Sequence, residues 1–115
     1  MAIYTSYFDN YNNIPSSWEK VAISLTVPEW FNGQWDRDLA PPEHAFRRYK
    51  SGGLFEEFIR EYAGKLNCLD MSDKLKRWRN RNVVLMCWEH KPNACHRIIL
   101  SRYLKWKYNI EVKEI

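Results

Sequence analysis

Residues 83–87 read VVLMC, five apolar residues in a row with no charge among them. A run of strand length that is apolar at every position suits a strand covered on both faces, the situation of a central strand in a parallel sheet. A parallel neighbour needs a crossover connection, usually a helix, so helical patterns should flank the run. Both are present. Upstream, Phe55, Phe58, Ile59, Tyr62 and Leu66 recur at helical spacing over residues 54–66. Downstream, Ile99, Leu100, Tyr103, Leu104 and Trp106 supply the buried stripe of a last helix, with Arg102 and Lys105 on its other side.

Farther out, residues 2–8, AIYTSYF, are rich in β-branched and aromatic side chains and predict a strand. Residues 9–17 are polar and predict a loop, and residues 21–27, VAISLTV, predict a second strand that stops at Pro28. Residues 29–42 are irregular, and their Trp30, Phe31 and Trp35 make them either a ligand lid or a loop pinned to the core by its aromatics. Pro42 suits the first turn of a helix bearing Ala45, Phe46 and Tyr49, which Gly52 and Gly53 end. Ser72 suits the cap of a short helix with Leu75 and Trp78 inward and Lys74, Arg77 and Arg81 outward. Residues 111–115, EVKEI, predict a charged edge strand. Strand, strand, helices, strand, helix, strand is an α/β order. It predicts a small Rossmann-like three-layer sandwich: a mostly parallel sheet of about four strands, helices on both faces, one domain over residues 1–115, and the first strand beside residues 83–87.

Composition bounds the function. The N-terminal MAIYTSYFDN lacks a basic leader and cleavage site, and no apolar run reaches the ~18 residues of a membrane helix, so the expectation is a soluble cytoplasmic protein with no membrane partner. Three cysteines are an odd count, and in the cytosol they stay reduced; a Cys87–Cys95 disulfide is expected only after oxidation. Charge is uneven. Residues 1–69 carry seven basic and nine acidic groups, whereas residues 70–107 carry ten basic and three acidic. That gathering of positive charge points to an anionic small molecule, a nucleotide or a nucleic acid, although a solvated basic surface gives the same pattern.

The basic stretch contains the chemistry. The run continues WEHKPNACHRIIL to residue 100, so residues 87–97 hold two cysteines, two histidines, a glutamate and an arginine. Ligands in parallel α/β folds bind beyond the carboxyl ends of the strands, which places residues 5–8 and 87–97 on one rim. Asn93 or a neighbour caps the last helix in this reading, and Cys95, His96 and Arg97 occupy its first turn, where free N–H groups favour an anion and Arg97 forks onto it. Three chemistries fit the residue types. Cys95 or Cys87 serves as nucleophile, with His96 as acid–base partner and Glu89 as base or orienting group. Alternatively, Cys87, Cys95 and His96 bind zinc, but the C-x7-C-H spacing departs from the usual C-x2-4-C pairs, so no metal or other cofactor is expected. In the third reading the cluster is structural, Glu89 pairing with Arg97 and the thiols filling space. The expected catalytic set is Cys87, Glu89, Cys95, His96 and Arg97, of hydrolase or transferase type. The expected ligand-binding set is Ser6, Tyr7, Tyr49, Lys50 and Arg97. The alternative is a non-catalytic nucleic-acid binder that uses residues 73–81, Arg102, Lys105 and exposed tryptophans.

The run VVLMCWEHKPNACHRIIL resembles the signature of the domain-of-unknown-function family 488: an apolar strand, a C-x-E step, a short loop, then Cys-His-Arg opening a helix. The matching positions are Cys87, Glu89, Cys95, His96 and Arg97. IYTSYF resembles that family's first strand, and RRYKSGGLFEEFIREYAGKL resembles its central helical part. The middle, FNGQWDRDLAPPEHAF, departs from the pattern in being short and tryptophan-rich. The resemblance implies a small α/β fold and marks the Cys-His-Arg region as the site; it implies no particular reaction.

Overall fold

The computed structural model describes residues 2–90 and 95–115. Its sheet contains β1 (Ala2–Tyr7), β2 (Glu19–Ala22), β3 (Gln34–Trp35), β4 (Asn82–Cys87) and β5 (Val112–Glu114), ordered β3-β2-β4-β1-β5 in space. Every pairing is parallel. The helices are α1 (Glu43–Lys50), α2 (Phe55–Asn67), α3 (Ser72–Trp78) and α4 (His96–Tyr108). Among the described residues, no helix is long and apolar enough to cross a membrane.

The VVLMC run forms the central strand. Its residues split by parity: Val83, Leu85 and Cys87 face a large core with the helices, while Val84 and Met86 face a smaller core with Phe8, Ile14 and Ala22. All five are fully buried, which is why none is polar. Each such side chain contributes about 1.5–3 kcal/mol relative to exposure. β1 lies beside β4 as expected, with Tyr7 opposite Cys87.

The sandwich is Rossmann-like, with differences of detail. The sheet has five strands, because Gln34–Trp35 adds a short edge beside β2. The four α-helices among the described residues all contribute to the larger core. The second face is covered by a short 3-10 helix, Phe8–Asn13, together with Trp18 and Phe31. The connection from β1 to β2 is too short and polar to hold an α-helix. Phe31 packs edge-on against Phe8, and Trp35 donates its indole N–H to the Ser24 carbonyl at 2.8 Å, so the aromatics of residues 29–42 pin that segment down.

Two boundaries and one side chain differ from expectation. The strand expected at residues 21–27 runs Glu19–Ala22, and past it Ser24 Oγ bonds to the Thr26 carbonyl at 2.5 Å and turns the chain. Ser72 is the first residue of α3 and not its cap. The carboxylate two residues earlier does that work, Asp70 Oδ1 accepting from the Ser72 N–H at 2.9 Å. Trp106 is 73% exposed, because the stripe that reaches the sheet is centred on Leu100, Tyr103 and Leu104 and Trp106 falls at its margin. The expected cap Asn93 lies outside the described residues, and Cys95 holds the cap position.

The Asp70 contact gives a pH prediction. Hydrogen bonds from Ser72 hold the Asp70 carboxyl below its ordinary range. A group depressed in the folded state stabilises above its unfolded pKa, and that contribution fades as pH falls through the folded value. Asp70→Asn is therefore less stable than wild type at pH 7 in urea melts, and the gap closes toward pH 3. A gap constant with pH would remove the cap from the account.

Candidate functional site

The site forms where β4 ends and α4 begins. Cys87 closes the strand, the chain leaves the sheet through Glu89, and Cys95 returns it as the residue capping α4. The two sulfurs lie 3.0 Å apart, with both cysteines free and buried. Glu89 Oε2 is 3.5 Å from each sulfur. His96 Nδ1 is 3.7 Å from Cys95 Sγ. The other ring nitrogen, Nε2, is 2.7 Å from the Ile23 carbonyl at the end of β2. A carbonyl only accepts, so Nε2 carries a proton, and Nδ1 is the ring atom turned toward the thiols. Four donor atoms from Cys87, Glu89, Cys95 and His96 thus lie within 4.8 Å of one another.

Arg97 organises this cluster from behind. It is fully buried, and every edge of its guanidinium is used. Nε and Nη2 donate to the two carboxylate oxygens of Glu114 at 3.2 and 3.0 Å. Nη1 donates to Cys87 Sγ at 3.1 Å and to the Glu89 carbonyl, and Nη2 also reaches the His90 carbonyl at 3.4 Å. Glu114 is held in turn by the Thr5 hydroxyl at 2.6 Å. Burial alone would lower the affinity of Arg97 for its proton, but the facing Cys87, Cys95 and Glu114 raise it. All the guanidinium donors of Arg97 are thus engaged within the chain, by Glu114, Cys87 and the Glu89 and His90 carbonyls. Nor does the Glu89 carboxylate pair with Arg97. It pairs with Lys50, whose Nζ is 3.1 Å from Oε1.

Electrostatics follow from these contacts. Burial would raise the Glu89 carboxyl, yet hydrogen bonding from Lys50 and the nearby His96 outweigh it and hold Glu89 below its ordinary range. The hydrogen bond with Cys87, and then burial, push the Cys95 thiol far up. The Cys95 thiol accordingly keeps its proton, and Cys87 Sγ accepts from Arg97 Nη1.

In front of the cluster is a cleft of about 390 Å³, into which Lys50, Glu89 and His96 open. Phe46, Trp88 and Pro41 form much of its apolar wall. Trp88 is fixed in place, since its indole N–H donates to the Thr26 carbonyl at 3.0 Å. The cysteines sit behind Glu89 and His96 and do not line the cleft. Among the other expected ligand-binding residues, only Lys50 lines it. Ser6 pairs with Met86 and so projects to the opposite face, where its hydroxyl donates to the Ile115 carbonyl at 3.0 Å. Tyr7 packs against the His90 ring, and Tyr49 stacks on Phe58.

Sequence reasoning missed Glu114, the Ile23 carbonyl and Trp88. The charges of residues 111–115 read as edge protection, and nothing in that pattern separates a carboxylate facing inward from one facing solvent. The Ile23 contact needs β2 beside β4, which only the sheet order supplies. Trp88 stood in plain view one residue after the central strand.

Comparison with curated proteins and with solved structures finds no match. A family comparison does, and the matched span takes in β2 to β4, the whole cluster and most of α4. Residues 14–104 match the family described as Domain of unknown function DUF488, and the chain belongs to that family.

Proposed function

We propose that the cleft binds a small anionic ligand, a nucleotide or another phosphorylated nucleic-acid component, and that Glu89 acts on it as a base in a hydrolase or transferase reaction. The observation that carries this is the convergence of Lys50, Glu89 and His96 on a cleft walled by Trp88 and Phe46. A fixed indole face takes a flat ring by stacking. Lys50, with three donors and one committed to Glu89, supplies the cation for a phosphate. Glu89, held ionised beside it, is the group able to take a proton from an attacking water or hydroxyl. The position beyond the carboxyl ends of β2 and β4 agrees with where parallel α/β sheets bind ligands. In this reading the buried thiols support Glu89 and His96 from behind, because a thiol pushed up in pKa and shut away from the cleft is a poor nucleophile.

Thermal shift with mono- and trinucleotides, adenosine phosphates and inorganic phosphate tests this. A ligand at about 100 times its Kd adds about 2.7 kcal/mol to wild type. Lys50→Ala is expected to weaken that ligand about tenfold or more, the loss of one charge-assisted hydrogen bond, and Trp88→Ala to weaken ring-bearing ligands but not phosphate. If no phosphate-bearing compound stabilises wild type, the reading falls.

The non-catalytic nucleic-acid grip has less support. Lys74 pairs with Asp36 at 2.8 Å, Arg81 with Glu19 at 3.4 Å and Lys105 with Glu111 at 2.6 Å, so much of that basic surface is balanced by the chain's own carboxylates. It predicts steeply salt-dependent DNA or RNA binding that is indifferent to Lys50→Ala.

A further inference from the structure

We propose that Cys87, Cys95, His96 and Glu89 form a binding site for one zinc-class divalent cation at the back of the cleft; it shares Glu89 and His96 with the reading above, and metal content is measured without the cleft ligand, so the two fail separately. The donor set is two thiols, one imidazole and one carboxylate, which selects zinc and its soft neighbours over magnesium or calcium. Geometry agrees at three of the six donor separations. A tetrahedral zinc with bonds of about 2.0–2.3 Å separates its donors by about 3.3–3.8 Å. Glu89 Oε2 lies 3.5 Å from both sulfurs, and His96 Nδ1 lies 3.7 Å from Cys95 Sγ. The sulfur pair, at 3.0 Å, has to open by less than an ångström, and the widest donor separation, within 4.8 Å, has to close by up to about 1–1.5 Å.

The surroundings match what such a centre requires. A metal-bound histidine donates its second ring nitrogen to a fixed acceptor, and His96 Nε2 does so to the Ile23 carbonyl at 2.7 Å. Zinc thiolates take N–H donors. Cys87 Sγ has the Arg97 Nη1–H at 3.1 Å, and Cys95 Sγ has the Arg97 backbone N–H at 3.5 Å. Charge closes as well. Two thiolates and the Glu89 carboxylate balance a divalent cation and Lys50, and Arg97 is balanced by Glu114. The spacing departs from common zinc motifs because the ligands come from a strand end and a helix cap, brought together by the sheet and not by a tight knuckle. Glu89 is the ligand on the cleft side, so it occupies the exchangeable position.

The experiment is metal analysis of untagged protein, followed by Co²⁺ titration of reduced protein that has been treated with a chelator. Expected are close to one equivalent of zinc per chain as purified, and a thiolate-to-cobalt charge-transfer band that saturates at one Co²⁺. Cys95→Ser should lose the band or weaken Zn²⁺ binding about 100-fold or more, beyond the 10–100-fold typical of outer partners. Glu89→Gln, at the cleft, should keep thiolate ligation with weaker affinity, and Cys68→Ala, at an exposed cysteine outside the cluster, should change nothing. Reduced wild type that is folded by circular dichroism, carries little metal and shows no thiolate–cobalt band would overturn the proposal, as would a full band in Cys95→Ser. Unfolding on chelation that Zn²⁺ reverses would support it.

Discussion

Arg97→Met should lower the unfolding free energy by about 3–5 kcal/mol, the cost of breaking a buried charge pair from one side. The reason is how many groups this one side chain satisfies. The guanidinium is fully buried and donates to both oxygens of Glu114, to Cys87 Sγ and to the carbonyls of Glu89 and His90. A methionine of similar length fills much of the volume but returns none of those bonds, and each orphaned buried acceptor costs about 1–3 kcal/mol. Glu114→Gln should cost less, about 1–2 kcal/mol, because its side chain is 31% exposed and an amide still accepts one bond. The pair should therefore be strongly non-additive. With Glu114 already neutral, Arg97→Met removes less, and a double-mutant cycle should give a coupling of about 1–3 kcal/mol. Urea melts of the four proteins at neutral pH decide it. If Arg97→Met stays within about 1 kcal/mol of wild type, a value ordinary for a surface change, the clamp does not hold α4 and β5 together.

Much of this fold was legible because burial on both faces leaves a plain mark. Val83, Val84, Leu85, Met86 and Cys87 are apolar at every position since each face of the sheet is covered. The helices were legible by their spacing. What escaped was structure decided by distant partners. Gln34 and Trp35 are both exposed and form a strand only because β2 offers an edge, so no alternation announces them. Trp106 belongs to the apolar periodicity of α4 yet lies at the margin of its buried face. The site divides the same way. Cys87, Glu89, Cys95 and His96 come together because a strand end and the following helix cap are neighbours in any such fold, which the chain order foretells. Arg97 follows the same order, but its role could not be read. Whether an arginine turns toward a ligand or is consumed inside depends on Glu114, seventeen residues away on β5. The side Ser6 takes is a matter of parity: Thr5 faces Glu114, and the next residue must point to the other side of the sheet.

Trp78→Ala should rank with Arg97→Met, at about 3–5 kcal/mol, and Trp78→Phe should be far milder, under about 1.5 kcal/mol. Trp78 is the largest fully buried side chain among the described residues and ties the last turn of α3 into the main core, the cluster that also holds Leu66, Met71 and Val83. Truncation to alanine leaves a cavity in a close-packed core that relaxes only partly into it. Phenylalanine also leaves a void, but it removes a liability. The indole Nε1 is buried with no hydrogen-bond partner among the described residues, and an unpaired buried donor costs about 1–3 kcal/mol. That relief offsets much of the lost packing, so the two variants should differ by about 2 kcal/mol or more. Because the Trp78 carbonyl accepts from the Arg81 N–H at 3.1 Å in the turn that feeds β4, the alanine variant should also loosen the strand that carries Cys87 to the rim. Hydrogen exchange at the β4 amides would show this as faster opening than in Trp78→Phe. Equal destabilisation by the two substitutions would mean that the indole N–H is satisfied and that its lost hydrogen bond, common to both variants, sets the value of this residue.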